Sequence, residues 1–324
     1  MKRSIARRDF LVGMAAAGSV LAGADHALHG ARLAAAPWKT RLHKALIGNP
    51  SEALLEEWKE AGFEGYEQTN RGATPQQAAA ARKVAEKHGM RIHSVMFGWA
   101  NFNQPAAVEK DLAAVETALR AAQAYGAETV LTVPCRIGGM PMPDPWAFDI
   151  RFDEKTGHVR QVAAGDNSRY AKYIEAHNQA CDTSRAAVRR LIPAAEKTGI
   201  IIALENVWNN LWVLPDVARN FVASFDSPWV RAYFDIGNHV RYAPPQQWIH
   251  TLGPLVKKCH VKDFKLNPDG HGGNWAHIRE GSIDWLAVRQ ALEDIGYNGW
   301  LSIEDDSLPP KEHGRRLELI VEGK

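Results

Sequence analysis

The chain has 324 residues, the length of a single α/β barrel and too long for a small stapled module. Its 45% apolar and 23% charged residues, with 11 Trp and a formal net charge of +2, fit a well-packed globular protein. They exclude a disordered chain and give no run of like charge for a nucleic acid or polyanion.

The leader comes first in the chain. Residues 1–24 carry Lys2, Arg3, Arg7 and Arg8 against Asp9, so removing them turns the formal +2 into −1. Arg7-Arg8-Asp9-Phe10-Leu11 before the apolar run Val12 to Ala24 resembles a bacterial twin-arginine export signal. The run is too short to span a hydrocarbon core of about 30 Å. Ala22-Gly23-Ala24, or a position within 31–36, would suit a signal peptidase. Residues 1–36 are thus expected to be a cleaved leader. Residues 37–324 would be a barrel domain in the periplasm or outside the cell, with no membrane anchor.

From residue 41 short apolar runs alternate with longer amphipathic ones. Strands are predicted at Lys44–Ile47, Phe63–Tyr66, Arg91–Val95, Thr129–Val133, Ile200–Leu204, Val230–Phe234, Lys258–Val261 and Trp300–Ile303. Helices are predicted over 51–61, 74–88, 105–125, 170–198, 215–225, 245–253, 284–294 and 312–322. Eight strand–helix units in one chain predict a (β/α)8 TIM barrel, single-domain and parallel, rather than an open doubly wound sheet. Gly62, Gly89, Gly126, Gly199 and Gly296 each follow a helical run and precede a strand, where a left-handed residue closes a helix. Cys135, Cys181 and Cys259 are odd in number and far apart, which predicts buried thiols and no disulfide framework.

Two insertions break the rhythm. Residues 136–168 follow the fourth strand and predict a β-hairpin turning at Lys155-Thr156-Gly157. Residues 264–283 follow the seventh strand. Both leave from strand C-termini, where barrel enzymes build their sites, and are expected to wall or cover a pocket.

Chemistry gathers in the last third. Glu205, Asp235, His260 and Glu304 each stand at the C-terminal end of a predicted strand, the fifth to the eighth. In a parallel barrel such residues converge at one mouth. Three carboxylates and one imidazole suit one divalent ion, Mn²⁺ first, with Mg²⁺, Co²⁺ or Zn²⁺ as alternatives. Substrate contacts are expected from His239, Lys262, Glu67, Trp208 and Arg279. Bland alternatives stand beside these: a strand-end carboxylate paired with a barrel Lys or Arg, a Lys262–Asp263 bridge, a Trp used as wall. His93 reads as a satisfied core histidine. No GxGxxG follows the first strand and no P-loop is present, which disfavours nucleotide binding.

Leu204-Glu205-Asn206, Phe234-Asp235-Ile236-Gly237-Asn238-His239, His260-Val261-Lys262-Asp263, Gly281-Ser282-Ile283-Asp284-Trp285 and Ile303-Glu304 together resemble the sugar phosphate isomerase/epimerase group of the xylose-isomerase-like barrels. The resemblance is specific over 200–305 and architectural over 41–199. It implies that Glu205, Asp235, His260 and Glu304 hold the metal. It also implies that Glu205 and Glu304 act as an acid/base pair on either side of a substrate carbon, through an enediolate. The chain departs from ketose 3-epimerases at two points. His239 lies four residues after Asp235 instead of three, and no Arg follows His260 where those enzymes use one.

The first expectation is therefore a metal-dependent isomerase or epimerase of a keto sugar. A lyase or dehydratase of 3-keto-glycosides or inososes would use the same residues. A non-catalytic periplasmic sugar-binding barrel is the alternative of another class, and the carboxylate pair argues against it. An apurinic endonuclease would need more histidines and a basic face. A small carbohydrate is the expected partner, and a homo-oligomer is compatible with the chain.

Overall fold

A computed structural model of the chain describes residues 38–324. The leader read in residues 1–36 lies outside them. The strands are β1 (Leu42–Gly48), β2 (Gly65–Gln68), β3 (Arg91–Trp99), β4 (Thr129–Val133), β5 (Phe148–Phe152), β6 (Val159–Ala163), β7 (Ile201–Glu205), β8 (Val230–Asp235), β9 (Val256–Val261), β10 (Asp263–Leu266), β11 (Gly273–Ala276) and β12 (Gly299–Ile303). The helices are α1 (Glu52–Glu60), α2 (Pro75–Lys87), α3 (Val108–Tyr125), α4 (Ala171–Thr198), α5 (Pro215–Ala223), α6 (Pro245–Leu252), α7 (Trp285–Asp294) and α8 (Pro310–Glu322). Eight of the strands close into a barrel in the order β1-β12-β9-β8-β7-β4-β3-β2, every neighbouring pair parallel. The remaining strands form two antiparallel hairpins, β5–β6 and β10–β11.

Local chemistry explains where the helices begin and end. Ser51 and Asp284 accept backbone N–H groups at the starts of α1 and α7, and Thr74 with Gln77 closes a capping box on α2. All five glycines read as helix stops have positive φ. The second strand differs most from its prediction. The Phe63 N–H bonds Trp58 O, closing α1, so the ladder starts two residues later at Gly65 and runs on to Gln68. Glu67 therefore lies within β2 and not at its end.

Side chains alternate between the helical shell and the barrel interior. Leu131, Val133, Ala203 and Tyr233 fill the interior, with Met96 and Val207 packed against them. On β9 the side chains of Lys258 and His260 point inward, and Lys262, the residue after the strand, follows them at the mouth. Lys258 is buried and donates to Glu128 at 2.9 Å, a polar plug at the base. No helix among the described residues is long and apolar enough to cross a membrane. Cys135, Cys181 and Cys259 are buried free thiols.

Candidate metal centre

Strand parity and register bring the four predicted donors together. Glu205 and Asp235 are the last residues of β7 and β8, His260 sits one before the end of β9, and Glu304 directly follows β12. Asp235 and His260 are register partners, as are His260 and Ser302, so the side chains turn inward at one level. One donor atom from each of the four lies within 4.8 Å of all the others. His260 Nδ1 is 3.1 Å from Glu205 Oε1, 3.1 Å from Glu304 Oε2 and 4.0 Å from Asp235 Oδ2.

The imidazole is held from behind. Its Nε2 lies 2.7 Å from Glu67 Oε2, and both side chains are fully buried. Glu67 Oε1 accepts from Ser94 Oγ at 2.7 Å, and Ser94 Oγ accepts from Thr129 Oγ1 at 2.8 Å. A skip in the β2–β3 register, which pairs Tyr66 with Ile92 but Glu67 with Ser94, brings Ser94 to that place. With Nε2–H given to Glu67, Nδ1 faces three carboxylates, as an N–H of the imidazolium without an ion and as a lone-pair donor with one.

The carboxylates are fixed in turn. Asn206 donates Nδ2 to Asp235 O at 2.9 Å and accepts the Asp235 N–H at 2.6 Å, tying the ends of β7 and β8. Asn238 donates its backbone N–H to Asp235 Oδ1 at 2.5 Å and its side chain to Asn206 O at 3.0 Å. Asp235 Oδ2 is buried without a hydrogen bond. Lys262 Nζ stands between Glu304, at 2.7 Å, and Asp235, at 3.3 Å.

Electrostatics show a site with too much negative charge for its burial. Burial and the neighbouring Glu304 raise the Glu205 pKa. Burial drives Asp235 up to about 7, although Lys262 opposes it. Burial also acts on Glu304, but His260 and Lys262 overcome it and hold that carboxyl below its usual range. Burial works against a charged His260, yet Glu67, Glu304 and Glu205 raise its pKa well above normal. Four acidic side chains stand against one ammonium and one imidazole, and burial raises two of the four acids because their charge is not balanced. That crowding of acids, the Asp235 oxygen held only by the ion pair with Lys262, and the oxygen-rich donor set fit a divalent cation.

The residues expected to touch substrate fall in different places. Lys262 is at the centre itself; it pairs with Asp235 and Glu304, not with Asp263. Trp208 stands beside it in an aromatic wall. Its ring stacks on Trp275 at 5.1 Å, and the Arg241 guanidinium covers it at 3.8 Å. The Lys262 ammonium lies 5.1 Å from the centre of the Trp275 ring. Glu67 lies beneath His260, away from the mouth. His239 is buried against Asn206 and Trp248, and burial with Arg241 nearby pushes it down to about 3, so it is neutral. Arg279 is exposed, with φ of 74°, and its backbone N–H donates to Asp263 Oδ2. His93 stacks on Trp300 and bonds Ser302 through Nε2 inside the barrel, a core histidine as expected but only half satisfied, because its Nδ1 is buried without a partner.

Sequence reasoning missed the support group. Ser94 and Thr129 are short polar residues within strands, signalled only by polarity in apolar runs, while Asn206 and Asn238 stood in the motifs of the resemblance without a role assigned to them. It also missed Asp263 as a hub. That carboxylate accepts the N–H groups of Phe264, Arg279 and Gly281 and the Trp285 indole, which anchors the insertion after β9.

A family model described as xylose isomerase-like TIM barrel matches residues 55–320. The chain belongs to the xylose isomerase-like TIM-barrel family. Among solved structures of that fold, the apo form of 3-keto-D-glucoside 4-epimerase from E. coli superposes with a TM-score of 0.61 at 15% identity, over 87% of this chain and 99% of that one. A xylose isomerase-like TIM-barrel protein from Mycobacterium smegmatis in complex with magnesium gives 0.60 at 19% identity, over 88% and 96%. An uncharacterized protein of Methanocaldococcus jannaschii is 30% identical over 150 residues, 44% of this chain. The match spans about half the length of that curated relative, 50%.

Proposed function

We propose that this xylose isomerase-like barrel is a divalent-metal-dependent isomerase or epimerase of a keto sugar. The observation that carries the reading is the placement of Glu205 and Glu304 oxygens at 3.1 Å from one imidazole nitrogen, approached from β7 and β12. Two carboxylates set around one point from different staves of the barrel can serve the same substrate carbon.

Glu205, Asp235, His260 and Glu304 would hold the ion. When bound, a divalent ion supplies a Lewis acid that makes the C–H beside a sugar carbonyl more acidic. Glu205 and Glu304 supply the proton transfers. In epimerisation one carboxylate takes the proton from the carbon and the other, entering the step protonated, gives its own proton to the opposite face; in isomerisation one carboxylate takes the proton and gives the same proton to the neighbouring carbon. Lys262, freed from Glu304 and Asp235 by the incoming cation, would give its ammonium to a substrate oxygen. Trp208 and Trp275 would shut water from one side of the sugar.

Elimination of a β-substituent from the same deprotonated sugar is the second reading. It is favoured by a cavity of about 580 Å³ beside Glu304, which leaves room beyond a single sugar ring. The leader read in residues 1–36 would export the folded barrel, which points to extracellular sugars without phosphate.

The test is exchange of the substrate C–H in D2O, with products read by mass. Glu205→Gln and Glu304→Gln are each expected to lower exchange by a factor of about 10² or more while keeping the wild-type circular dichroism. Persistence of wild-type exchange in both variants would remove the proposed proton-transfer roles. Unchanged product mass marks an isomerase; a lost fragment marks a lyase.

A further inference from the structure

Among the described residues, every arginine on the eight helices faces a carboxylate at salt-bridge distance except Arg189 and Arg219. Those two line one cavity of about 500 Å³ in the helical shell, between α4, α5 and the turn of the β5–β6 hairpin. The cavity shares no residue with the metal centre. Lys155 from the turn and Arg185 from α4 add two further cations to its lining. Glu154 is in the lining too, and Asp182 stands 3.5 Å from Arg185. Four cations thus meet two carboxylates and the C-terminal end of α5, which carries about half a negative charge. The walls are fixed. The Arg185 side chain, 13% exposed, donates Nε–H to Ser224 Oγ at 3.0 Å, and Arg189 donates to Ser224 O at 3.2 Å. Asn220 donates to Glu154 O at 2.7 Å, and His158 pairs with Asp182 at 2.9 Å, so the turn is drawn onto both helices. Gly157 has φ of 77°, and a Cβ there would stand 2.7 Å from the Arg185 guanidinium. Only glycine lets the turn close this wall.

We propose that this cavity binds a small phosphate-bearing anion, a diphosphate by charge and size, at a site separate from the metal centre. A planar carboxylate is met by a single guanidinium fork. Here the cations come from three elements, α4, α5 and the hairpin turn, and reach the cavity from different sides. Tetrahedral phosphates present oxygens to all of those sides at once, and guanidinium groups suit them. Arg189 and Arg219 hold the phosphate oxygens, Lys155 closes over them, and the anchored Arg185 forms the floor. No aromatic side chain is in the lining, so the ligand is held by its phosphates and not by stacking.

The experiment titrates inorganic pyrophosphate into the full chain by calorimetry, with orthophosphate and citrate as comparisons. Pyrophosphate is expected to bind at one site per chain, about tenfold or more tighter than either. Arg189→Gln and Arg219→Gln are each expected to weaken it about tenfold or more. Both side chains are exposed, so the fold withstands their loss. Asp235→Ala, which damages the metal centre, is expected to leave pyrophosphate binding unchanged. Native affinity in the Arg189→Gln, Arg219→Gln double variant would overturn the site. So would loss of binding in Asp235→Ala alone, because the metal centre would then be the binder. Citrate bound as tightly as pyrophosphate would overturn the assignment to phosphate. The comparison of the three anions on the native chain stands even where a variant fails to fold.

Discussion

Glu67 decides how the imidazole at the centre is presented. Its carboxylate takes one ring nitrogen at 2.7 Å, and that contact orients the other toward Glu205 and Glu304. A carboxylate behind a metal-binding histidine fixes ring and tautomer, and its loss lowers metal affinity about 10–100-fold. Glu67→Gln is therefore expected to weaken manganese binding by that factor in calorimetry, with the fold unchanged; unchanged affinity would leave Glu67 a mere filler. The four donors were legible in the sequence because each ends an apolar run, a place where a charged residue has no packing reason to stand. Glu67 was legible only as a residue near the site. Its role depends on where β2 starts, and a hydrogen bond closing α1 moves that start by two residues. His239 misled for a related reason: its spacing places it at the mouth, but the turn after β8 folds it inward onto Asn206 and Trp248.

The strands and their connections set the next level of behaviour. At the base, Glu128, one residue before β4, receives Lys258 of β9 at 2.9 Å. Burial opposes its charge, but Lys258, Lys257 and Arg91 together bring it down to about 2. An acid lowered from 4.5 to about 2 adds stability above pH 4.5 and loses it as pH falls toward 2. Glu128→Gln is expected to cost about 1–3 kcal/mol at pH 7, because Lys258 stays buried without its partner. In denaturant titrations the gap from the wild type should close as pH falls toward 2. A constant gap would mean that the pair carries no pH-linked stability. At the mouth, Gly281 belongs to the insertion after β9. A Cβ there would stand 1.9 Å from Asp263 Oδ1, so Gly281→Ala must push away the carboxylate that gathers this loop. The expected result is faster amide exchange over 264–283, against an unchanged pattern if the loop were held elsewhere. The β5–β6 hairpin could be read from its alternation and its glycine turn. The β10–β11 hairpin could not, because its short strands pair around glycines and a tryptophan without a repeating apolar pattern.

As a whole the molecule is a barrel whose base and interior are closed by packing and whose mouth carries the unbalanced charge. Eight-fold alternation made the architecture legible in the sequence: a period-2 run followed by a 3.6-period run, repeated, leaves few folds that bury both. The partners behind the first ring of side chains were not legible, because closure of the barrel sets strands far apart in sequence side by side. Glu67 and His260 are separated by 193 positions yet share a proton. The same closure underlies the proposal: Glu205, Asp235 and Glu304 meet His260 at one point, where a bound cation would offset their charge. Metal removal should then loosen the mouth. Saturating manganese at about 100 times its dissociation constant is expected to stabilise the barrel by about 2.7 kcal/mol. The most direct measurement is the number of divalent ions retained per chain after equilibrium dialysis against manganese, with the Asp235→Ala, Glu304→Gln double variant alongside. The account predicts about one ion for the native chain and none for the variant; a native chain that retains none, or a variant that retains as many as the native chain, would contradict it.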